Sequence, residues 1–258
     1  MSTVISVTNQ KGGVGKTTTS VNLGAALAKS GYKVLIIDLD PQGHSGEHLG
    51  VQVIQDQKGP KTILDVLNHE RELLDTTYPT YIPNLWLIPS NLKLGQFNQN
   101  SPSGRQFNLK TAITPHVNRS FDFIFIDCQP SLSLLTLNAL TSCNQVILPV
   151  QAEFLALDGL TQLVMTLKEI QTKLHPKLQV LGILLTMYDK RNRLSGEVRA
   201  ELEKNFGQDL FSVSIPRVVK IAESPSFGQS IFDYDPKSPG ASAYQELAKE
   251  VISRVGTK

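Results

Sequence analysis

Short, almost uninterrupted apolar runs recur along the chain and alternate with segments of helical periodicity. The runs predict strands at residues 4–8, 33–38, 85–88, 121–127, 145–150 and 179–187. Residues 17–29 and 157–174 instead repeat apolar side chains every three or four positions, which predicts helices. Continuous apolar strands are typical of parallel sheets buried on both faces. The pattern therefore predicts an α/β fold, with a mostly parallel twisted sheet flanked by helices on both faces.

Length and composition are those of an ordinary globular protein. The 258 residues are 40% hydrophobic and 19% charged, enough for one large domain over residues 1–258. No apolar run approaches the ~20 residues of a membrane span, and the first strand starts too near Met1 for a signal peptide. Cys128 and Cys143 form no C-x-x-C pair, which fits a reducing compartment. We therefore expect a cytoplasmic protein.

A glycine-rich loop, NQKGGVGKTTT at residues 9–19, joins the first predicted strand to the first predicted helix. Glycines there allow a tight turn that points backbone N–H groups at a phosphate, beside the positive end of the helix. In such a P-loop, Lys16 reaches the β- and γ-phosphates and the Thr17 hydroxyl binds Mg²⁺. The sequence thus predicts a P-loop NTPase that uses ATP and Mg²⁺. The predicted nucleotide contacts in the loop are Lys11, Gly12, Gly13, Val14, Gly15, Lys16, Thr17 and Thr18.

The loop departs from the common motif at two positions. Gln10 stands where the motif has glycine, and a second lysine, Lys11, precedes the glycines. On spacing alone Lys11 reads as a solvated loop residue. However, KGGVGKT resembles the deviant Walker A loop of the ParA/MinD ATPases, in which the first lysine contacts the nucleotide of the other subunit. The resemblance therefore implies a homodimer when ATP is bound.

Three aspartates end strands at the expected ligand-binding edge of the sheet. Asp127 ends the apolar run FDFIFID, the usual place of a Walker B residue beside Mg²⁺. The segment DLDPQG contains Asp38 and Asp40 and resembles the first switch of ParA proteins, where the second aspartate orients the attacking water. The alternative is that these acids only cap helices or end strands. The predicted metal site is Thr17, Asp38 and Asp127, and the predicted catalytic residues are Asp40, Lys11 and Lys16.

The resemblance extends over nearly the whole chain. Residues 186–195, 215–231 and 234–252 are similar to the corresponding segments of the short chromosomal ParA proteins often called Soj, in the same order. It implies that Pro216 and Val218 lie near the adenine ring. The chain departs from the family at Gln129, where DCPPS is usual, and in GHSGEHLG at residues 43–50. It also departs at residues 95–105, a polar stretch for which we predict a mobile surface loop.

Family members are switches, and the resemblance implies the same cycle here. The ATP dimer binds double-stranded DNA without regard to sequence, and a ParB-like or cargo-adaptor protein stimulates hydrolysis. We therefore expect a nucleoid-associated protein. The overall charge is +2, but residues 168–220 carry ten Lys or Arg against six Asp or Glu. The predicted DNA contacts are Lys190, Arg191, Arg193, Arg217 and Lys220, and the alternative is a solvated surface.

Three other functions of this superfamily stay open. A MinD-like ATPase would bind a membrane through a terminal amphipathic helix, but the last helix here has an apolar stripe without Trp, Phe or a basic polar face, which favours core packing. A protein that resembles the nitrogenase iron protein would bind an iron–sulfur cluster through two cysteines per subunit, here Cys128 and Cys143, although buried structural thiols are common. A small-molecule ligase such as a dethiobiotin synthetase lacks the first loop lysine. The cargo is also open: a chromosome, a plasmid or a protein assembly such as a carboxysome.

Overall fold

A computed structural model describes residues 2–57, 59–98, 103–153 and 156–256. The strands in these ranges are β1 (Thr3–Val7), β2 (Val34–Leu39), β3 (Gln55–Asp56), β4 (Gly59–Pro60), β5 (Tyr78–Pro79), β6 (Leu85–Ile88), β7 (Phe123–Cys128), β8 (Gln145–Gln151) and β9 (Gln179–Thr186). The helices are α1 (Lys16–Lys29), α2 (His44–His48), α3 (Ile63–Leu67), α4 (Asn108–Ala112), α5 (Val117–Ser120), α6 (Leu134–Ser142), α7 (Ala156–Lys173), α8 (Arg193–Phe206), α9 (Val219–Glu223), α10 (Ile231–Tyr234) and α11 (Pro239–Val255). Segments of 3₁₀ helix are Leu74–Thr76, Leu92–Asn98, Arg105–Phe107 and Ser224–Phe227.

Seven strands form one sheet in the order β5-β6-β2-β7-β1-β8-β9. Every neighbouring pair is parallel except β5 and β6, which are antiparallel. The separate strands β3 and β4 form a short antiparallel pair. All six strands expected from the apolar runs are present, with ends that differ by at most two residues. The prediction of a mostly parallel α/β sheet is confirmed.

Helices cover both faces of the sheet, and alternate side chains of each strand enter two separate cores. On β2, Leu35 and Ile37 pack in the core that includes residues of α6 and α7. Ile36 points into the other core, formed with α1 and α11. Burial on both faces explains why the strand sequences are continuously apolar.

The last helix, α11, packs against α1 behind the glycine loop. Its apolar stripe of Tyr244, Leu247, Ala248 and Val251 is buried in the same core as Leu23 of α1. The prediction that α11 is a core-packing helix is confirmed. Within the described ranges, no helix combines the length and apolarity needed to cross a membrane.

Both edges of the sheet are covered by short segments of the chain. At one edge β5 pairs with β6 and contains Pro79. At the other, residues 209–215 run along β9, where the Phe211 N–H donates to the Ile183 carbonyl at 2.9 Å. The Phe211 ring lies over Gly182, so close that a Cβ there would be 2.3 Å from a ring carbon.

The stretch 95–105 differs from the expected surface loop. Residues up to Asn98 belong to the 3₁₀ segment Leu92–Asn98, in which Phe97 is buried. The guanidinium of Arg105 lies 3.9 Å from the centre of the Phe97 ring. The prediction is therefore wrong for residues 95–98, because the aromatic side chain of Phe97 packs in the core although its neighbours are polar. Residues 99–102 lie outside the described residues.

Candidate functional site

The glycine loop opens onto a cavity at the carboxyl ends of β1, β2 and β7. Gly13 and Gly15 have φ of 74° and 87°, a region that favours glycine. A Cβ built at Gly12 or Gly13 would meet no protein atom within 4 Å, so the loop backbone borders open space. The cavity measures about 590 Å³ and is lined by loop residues that include Lys16 and Thr17. Its size and exposed backbone suit a triphosphate group.

Two hydrogen bonds fix the loop to the sheet beneath it. The Asn9 amide donates to the Pro149 carbonyl on β8 at 2.7 Å. The Thr186 hydroxyl at the end of β9 donates to the Val14 carbonyl at 2.9 Å. Val14 itself is buried and does not line the cavity. The loop is thus anchored on the strands that flank it.

Lys16 is 6% exposed and its ammonium donates to the Lys11 carbonyl at 3.1 Å. Burial lowers the pKa of Lys16, and the nearby charge of Asp127 acts in the opposite direction. A buried ammonium with one carbonyl partner retains donors for further acceptors.

Asp38 and Asp127 stand side by side on adjacent strands, where they are paired in the register of β2 and β7. Both are fully buried. Asp38 accepts from the backbone N–H groups of Asp40 at 2.9 Å and Ser45 at 3.1 Å. Asp127 accepts from the hydroxyls of Ser45 at 2.9 Å and Ser20 at 3.2 Å. Ser45 therefore bridges the two carboxylates, one through its backbone and the other through its side chain.

Burial of these two acids without a cation is unfavourable for their charged forms. Burial raises the pKa of Asp127 to about 6, while hydrogen bonds from the Thr17 and Ser45 hydroxyls act to lower it. Burial and the charge of Asp127 raise the pKa of Asp38 well above its usual range. A divalent cation beside the two carboxylates would stabilise their charged forms. Within the described residues no group of three or more His, Cys, Asp or Glu could hold a metal, and Mg²⁺ commonly uses one or two carboxylates with phosphate oxygens. The residues present fit such a site.

Asp40 lies on the rim of the cavity, one turn before α2. Its carboxylate accepts from the Gln42 N–H at 3.0 Å, and its carbonyl accepts from the Ser90 hydroxyl. The cavity is also lined by residues that were not among the predicted site residues: Gln42, His44, Gln129, Pro130 and Met187. The Gln129 amide donates to the hydroxyl of Ser133, the residue that caps α6. Gln129 thus connects the cavity to this helix.

A second, more apolar cavity of about 350 Å³ adjoins the loop at Gly15 and Thr18. Pro216 and Val218 both line this cavity. Met187 lines both cavities and has a φ of 52°, which is unusual for a residue with a side chain. Met187, with its strained backbone, therefore lies where the two cavities meet. The positive φ of Met187 was not predicted from the sequence.

Lys11 lies apart from Lys16. Its ammonium forms an ion pair with the Glu153 carboxylate, in the turn that follows β8. Both side chains are about half exposed, at 46% and 47%. Glu153 is 142 residues away in sequence, and nothing in the local pattern indicated it.

The five basic residues expected to contact DNA do not form one cluster. Lys190, Arg191 and Arg217 line a groove of about 810 Å³, together with Arg199, which the sequence analysis missed. Arg193 and Lys220 are not in its lining, and each forms a helical ion pair, with Glu197 and Glu223 respectively.

The basic residues of the groove differ in whether they already pair with other side chains of the protein. Arg191 pairs with Asp189 at 3.0 Å, and Arg199 donates to the Ser214 hydroxyl at 2.8 Å. Lys190 and Arg217 form no salt bridge with any residue of the described ranges. These last two are the cations most available to an anionic partner.

The two thiols lie inside the protein. Cys128 and Cys143 are buried in the core between the sheet and α6. Burial raises the pKa of Cys143 to about 11 and that of Cys128 well above its usual range. Protonated, buried thiols are the form expected of structural cysteines.

Comparison with known proteins gives a consistent family. A family model described as an AAA domain matches residues 2–180. The chain is 42% identical over 254 residues to the chromosome partitioning protein ParA of Caulobacter vibrioides, covering 97% of this chain and 94% of that protein. It is 44% identical over 255 residues to the sporulation initiation inhibitor protein Soj of Bacillus subtilis, covering 98% and 99%.

A solved structure from Mycobacterium smegmatis, described as cobyrinic acid a,c-diamide synthase with bound ADP and magnesium, has a TM-score of 0.84 and 35% identity. The match covers 100% of this chain and 96% of that one. The fold is therefore that of a P-loop nucleotide-binding protein of known structure. Near-complete coverage at more than 40% identity by the two partitioning proteins settles the family. The chain belongs to the ParA/Soj family of chromosome-partitioning ATPases.

Proposed function

We propose that this protein is an ATP-driven positioning switch that binds and hydrolyses Mg-ATP, dimerises in the ATP state and then binds DNA without regard to sequence. A ParB-like or cargo-adaptor protein would stimulate hydrolysis and so release the dimer. The observation that carries the proposal is the pair of buried carboxylates, Asp38 and Asp127, beside the glycine loop and Lys16. Such a pair is unfavourable without a cation and suits Mg²⁺ with a triphosphate.

The nucleotide contacts follow from the loop and its two cavities. Backbone N–H groups from Gly12 to Thr18 would surround the phosphates, and Lys16 would neutralise part of their charge. Thr17 and Asp127 would hold the metal, with Asp38 supporting the loop that contains Asp40 through its backbone hydrogen bond. The apolar cavity at Pro216 and Val218 would take the base. The relative from Mycobacterium smegmatis with ADP and magnesium supports this choice of ligands.

Hydrolysis would depend on Asp40. Its carboxylate is on the rim of the phosphate cavity and, among the described residues, only the Gln42 N–H donates to it. The remaining carboxylate oxygen can accept a hydrogen bond from a water and orient it. Bound Mg²⁺ would supply charge neutralisation at the phosphates. Positioning and charge neutralisation provide most of the acceleration in phosphoryl transfer.

Lys11 would act in the dimer, where it would reach the phosphates bound by the partner subunit. Lys16 already occupies the phosphate end of its own loop, so a second ammonium there would be repelled. Light scattering should show dimer with ATP but not with ADP. Lys11→Ala should bind nucleotide and stay monomeric, whereas Lys173→Ala, an exposed lysine of α7 in a helical ion pair, should behave as wild type.

Asp40→Ala should dimerise with ATP and fail to hydrolyse it, so that the dimer accumulates. Turnover at the wild-type rate in Asp40→Ala would refute this role. If Lys11→Ala dimerised at the same ATP concentration as the wild-type protein, the cross-subunit role of Lys11 would be refuted.

DNA binding would use the groove lined by Lys190, Arg191 and Arg217. Each contact with a DNA phosphate would occur twice in a dimer, so the two contributions to the affinity would add. Lys190→Glu should weaken binding equally on unrelated duplexes and flatten the plot of log affinity against log salt by about 1.8, since two phosphate contacts are lost per dimer at about 0.9 each. Lys173→Glu, with the same charge change outside the groove, is the control. Unchanged binding by Lys190→Glu would make the groove a solvated surface.

Arg193 and Lys220 would contribute less than Lys190 and Arg217, because both are paired with acids on their own helices. Arg191 is a poorer test than Lys190, since its replacement also releases the paired Asp189, and so is Arg217, which also lines the cavity proposed for the base. We also propose that residues 1–258 act as one ATPase domain. The single main sheet and the packing of α11 on α1 support this. The ATP dimer would associate with the nucleoid, in the cytoplasm.

A ligase is the second candidate function, because the Mycobacterium smegmatis structure bears the name of a diamide synthase. ATP-dependent dimerisation without any added small molecule favours the switch. ATP turnover that requires a carboxylic acid and ammonia or glutamine would favour the ligase. Membrane association is less supported, since the apolar residues of α11 are used in the core. The cargo can be identified by testing purified adaptor proteins, since the adaptor that stimulates ATP hydrolysis belongs to the cargo.

A further inference from the structure

The ion pair between Lys11 and Glu153 lies at the start of the glycine loop and joins two segments that are far apart in sequence. Both segments are fixed to β8. Lys11 is connected to that strand through Asn9, which accepts from the Lys11 N–H at 2.9 Å and donates to the Pro149 carbonyl at 2.7 Å. The pair is therefore preorganised within one subunit.

Glu153 is held in place by its own backbone. Its N–H donates to the Gln151 carbonyl at 2.8 Å, and its carbonyl accepts from the Ala156 N–H at 3.0 Å, where α7 begins. The Ala152 N–H also donates to the Thr186 carbonyl on β9. The carboxylate thus projects from a turn that is attached to two strands, within ion-pair distance of the Lys11 ammonium.

We propose that Glu153 is a positioning residue that retains Lys11 within its own subunit and so opposes dimer formation. This rests on the proposed function, in which Lys11 contacts the nucleotide of the partner. A lysine that crosses the interface must first leave Glu153, and each dimer requires two such exchanges. Glu153 therefore sets the ATP and protein concentrations at which the switch closes.

The second contact of this segment links it to the nucleotide site. Lys16 donates to the Lys11 carbonyl, so the ammonium that would reach the phosphates also holds the backbone of the crossing lysine. When Lys16 turns toward the phosphates, that carbonyl loses its donor. The segment with Lys11 is then held mainly by Asn9 and Glu153. Nucleotide occupancy would loosen the segment, and Glu153 would remain the barrier.

The size of the effect follows from the exposure of the pair. Half-exposed ion pairs contribute little each, equivalent to roughly 1.4- to 5-fold in an equilibrium constant. Because a symmetric dimer breaks two pairs, Glu153→Gln should tighten ATP-dependent dimerisation by about 2- to 30-fold. The change keeps the shape of the side chain and removes only its charge.

The experiment measures the dimer dissociation constant with ATP by sedimentation or light scattering, for Glu153→Gln beside wild type. ADP affinity by calorimetry reports the integrity of the monomer site and should be unchanged. Glu169→Gln is the matched control, because it removes the same charge from an exposed ion pair on α7 and should leave dimerisation unaltered. Glu153→Asp, with a shorter side chain and the charge kept, should fall between wild type and Glu153→Gln.

The Lys11→Ala variant separates this proposal from the proposed function. The double variant with Lys11→Ala and Glu153→Gln should stay monomeric, since Glu153→Gln acts only by releasing Lys11. Unchanged or weaker dimerisation by Glu153→Gln, with Lys11→Ala monomeric, would overturn the role of Glu153 and leave the proposed dimer intact. If Lys11→Ala itself dimerised normally, the cross-subunit role and the role of Glu153 would both be wrong.

Discussion

Replacement of Asp127 by asparagine should stabilise the nucleotide-free protein at neutral pH, although it should impair Mg²⁺-dependent nucleotide binding. The wild-type carboxylate is fully buried, and its pKa is raised from the usual 3.8 to about 6. A group with a raised pKa contributes its full stability below the unfolded pKa and loses it as the pH rises through the folded pKa. Asparagine does not ionise, so the variant avoids this loss.

The magnitude follows from the rise of the Asp127 pKa from 3.8 to about 6, which corresponds to about 3 kcal/mol of lost stability once Asp127 is fully ionised. About half of it, ~1.5 kcal/mol, should be lost between about pH 5 and about pH 8. The hydroxyls of Ser20 and Ser45 can still bond the asparagine side chain, because a hydroxyl both donates and accepts. Asp38 should also ionise more easily once the neighbouring charge is removed.

The assay is urea unfolding without nucleotide and with EDTA, for wild type and Asp127→Asn at several pH values. The stability difference in favour of the variant should grow as the pH rises, and Mg²⁺ with ADP should stabilise only wild type strongly. Asp158→Asn, an exposed residue of α7, controls for net charge. A stability difference that does not change with pH, or a variant less stable than wild type at the highest pH, would show that the buried carboxylate is not destabilising.

Three further predictions concern single side chains. Lys16→Ala should lose nucleotide binding itself, because in the proposed function its buried ammonium neutralises the phosphates, and unchanged affinity in calorimetry would contradict this. Ser45→Ala removes the 2.9 Å hydrogen bond to Asp127 and should weaken Mg²⁺-dependent nucleotide binding by roughly 1.5–3 kcal/mol, with Ser45→Thr restoring part of it. Gly182→Ala should destabilise the fold by about 1–3 kcal/mol in urea unfolding, since its methyl group would overlap the Phe211 ring, and ADP affinity should persist in the folded protein.

The fold was predictable because each strand of the main parallel sheet is buried on both faces. That burial leaves a continuous apolar run in sequence, and the order of runs and helices then determines the class. The two-residue strands β3 to β5 were not predicted, since two residues carry no periodicity. The burial of Phe97 was not predicted for a related reason. A single aromatic residue among polar neighbours makes no apolar run, although its side chain packs in the core.

The geometry of the candidate site was predictable where a motif fixes it locally, as in the loop from Gly12 to Thr18. It was not predictable where contacts join distant segments. Glu153 reaches Lys11 across 142 residues, and Ser45 reaches Asp127 across 82. Neither residue has a recognisable pattern around it, because what positions each is the order of strands in the sheet. The positive φ of Met187 likewise depends on its surroundings and leaves no mark in the sequence.

The covered edges of the sheet restrict how two copies of this protein can associate. Exposed edge strands offer unpaired N–H and C=O groups that recruit further strands from other molecules. Here β5, with Pro79, protects one edge, and the Asp209 and Phe211 backbone satisfies Ile183 on the other. Self-assembly by continuation of the sheet, with its risk of open-ended fibres, is thereby blocked. In the proposed dimer the two copies would therefore meet through surfaces other than the sheet edges, so that the dimer could open again without breaking backbone hydrogen bonds of the sheet.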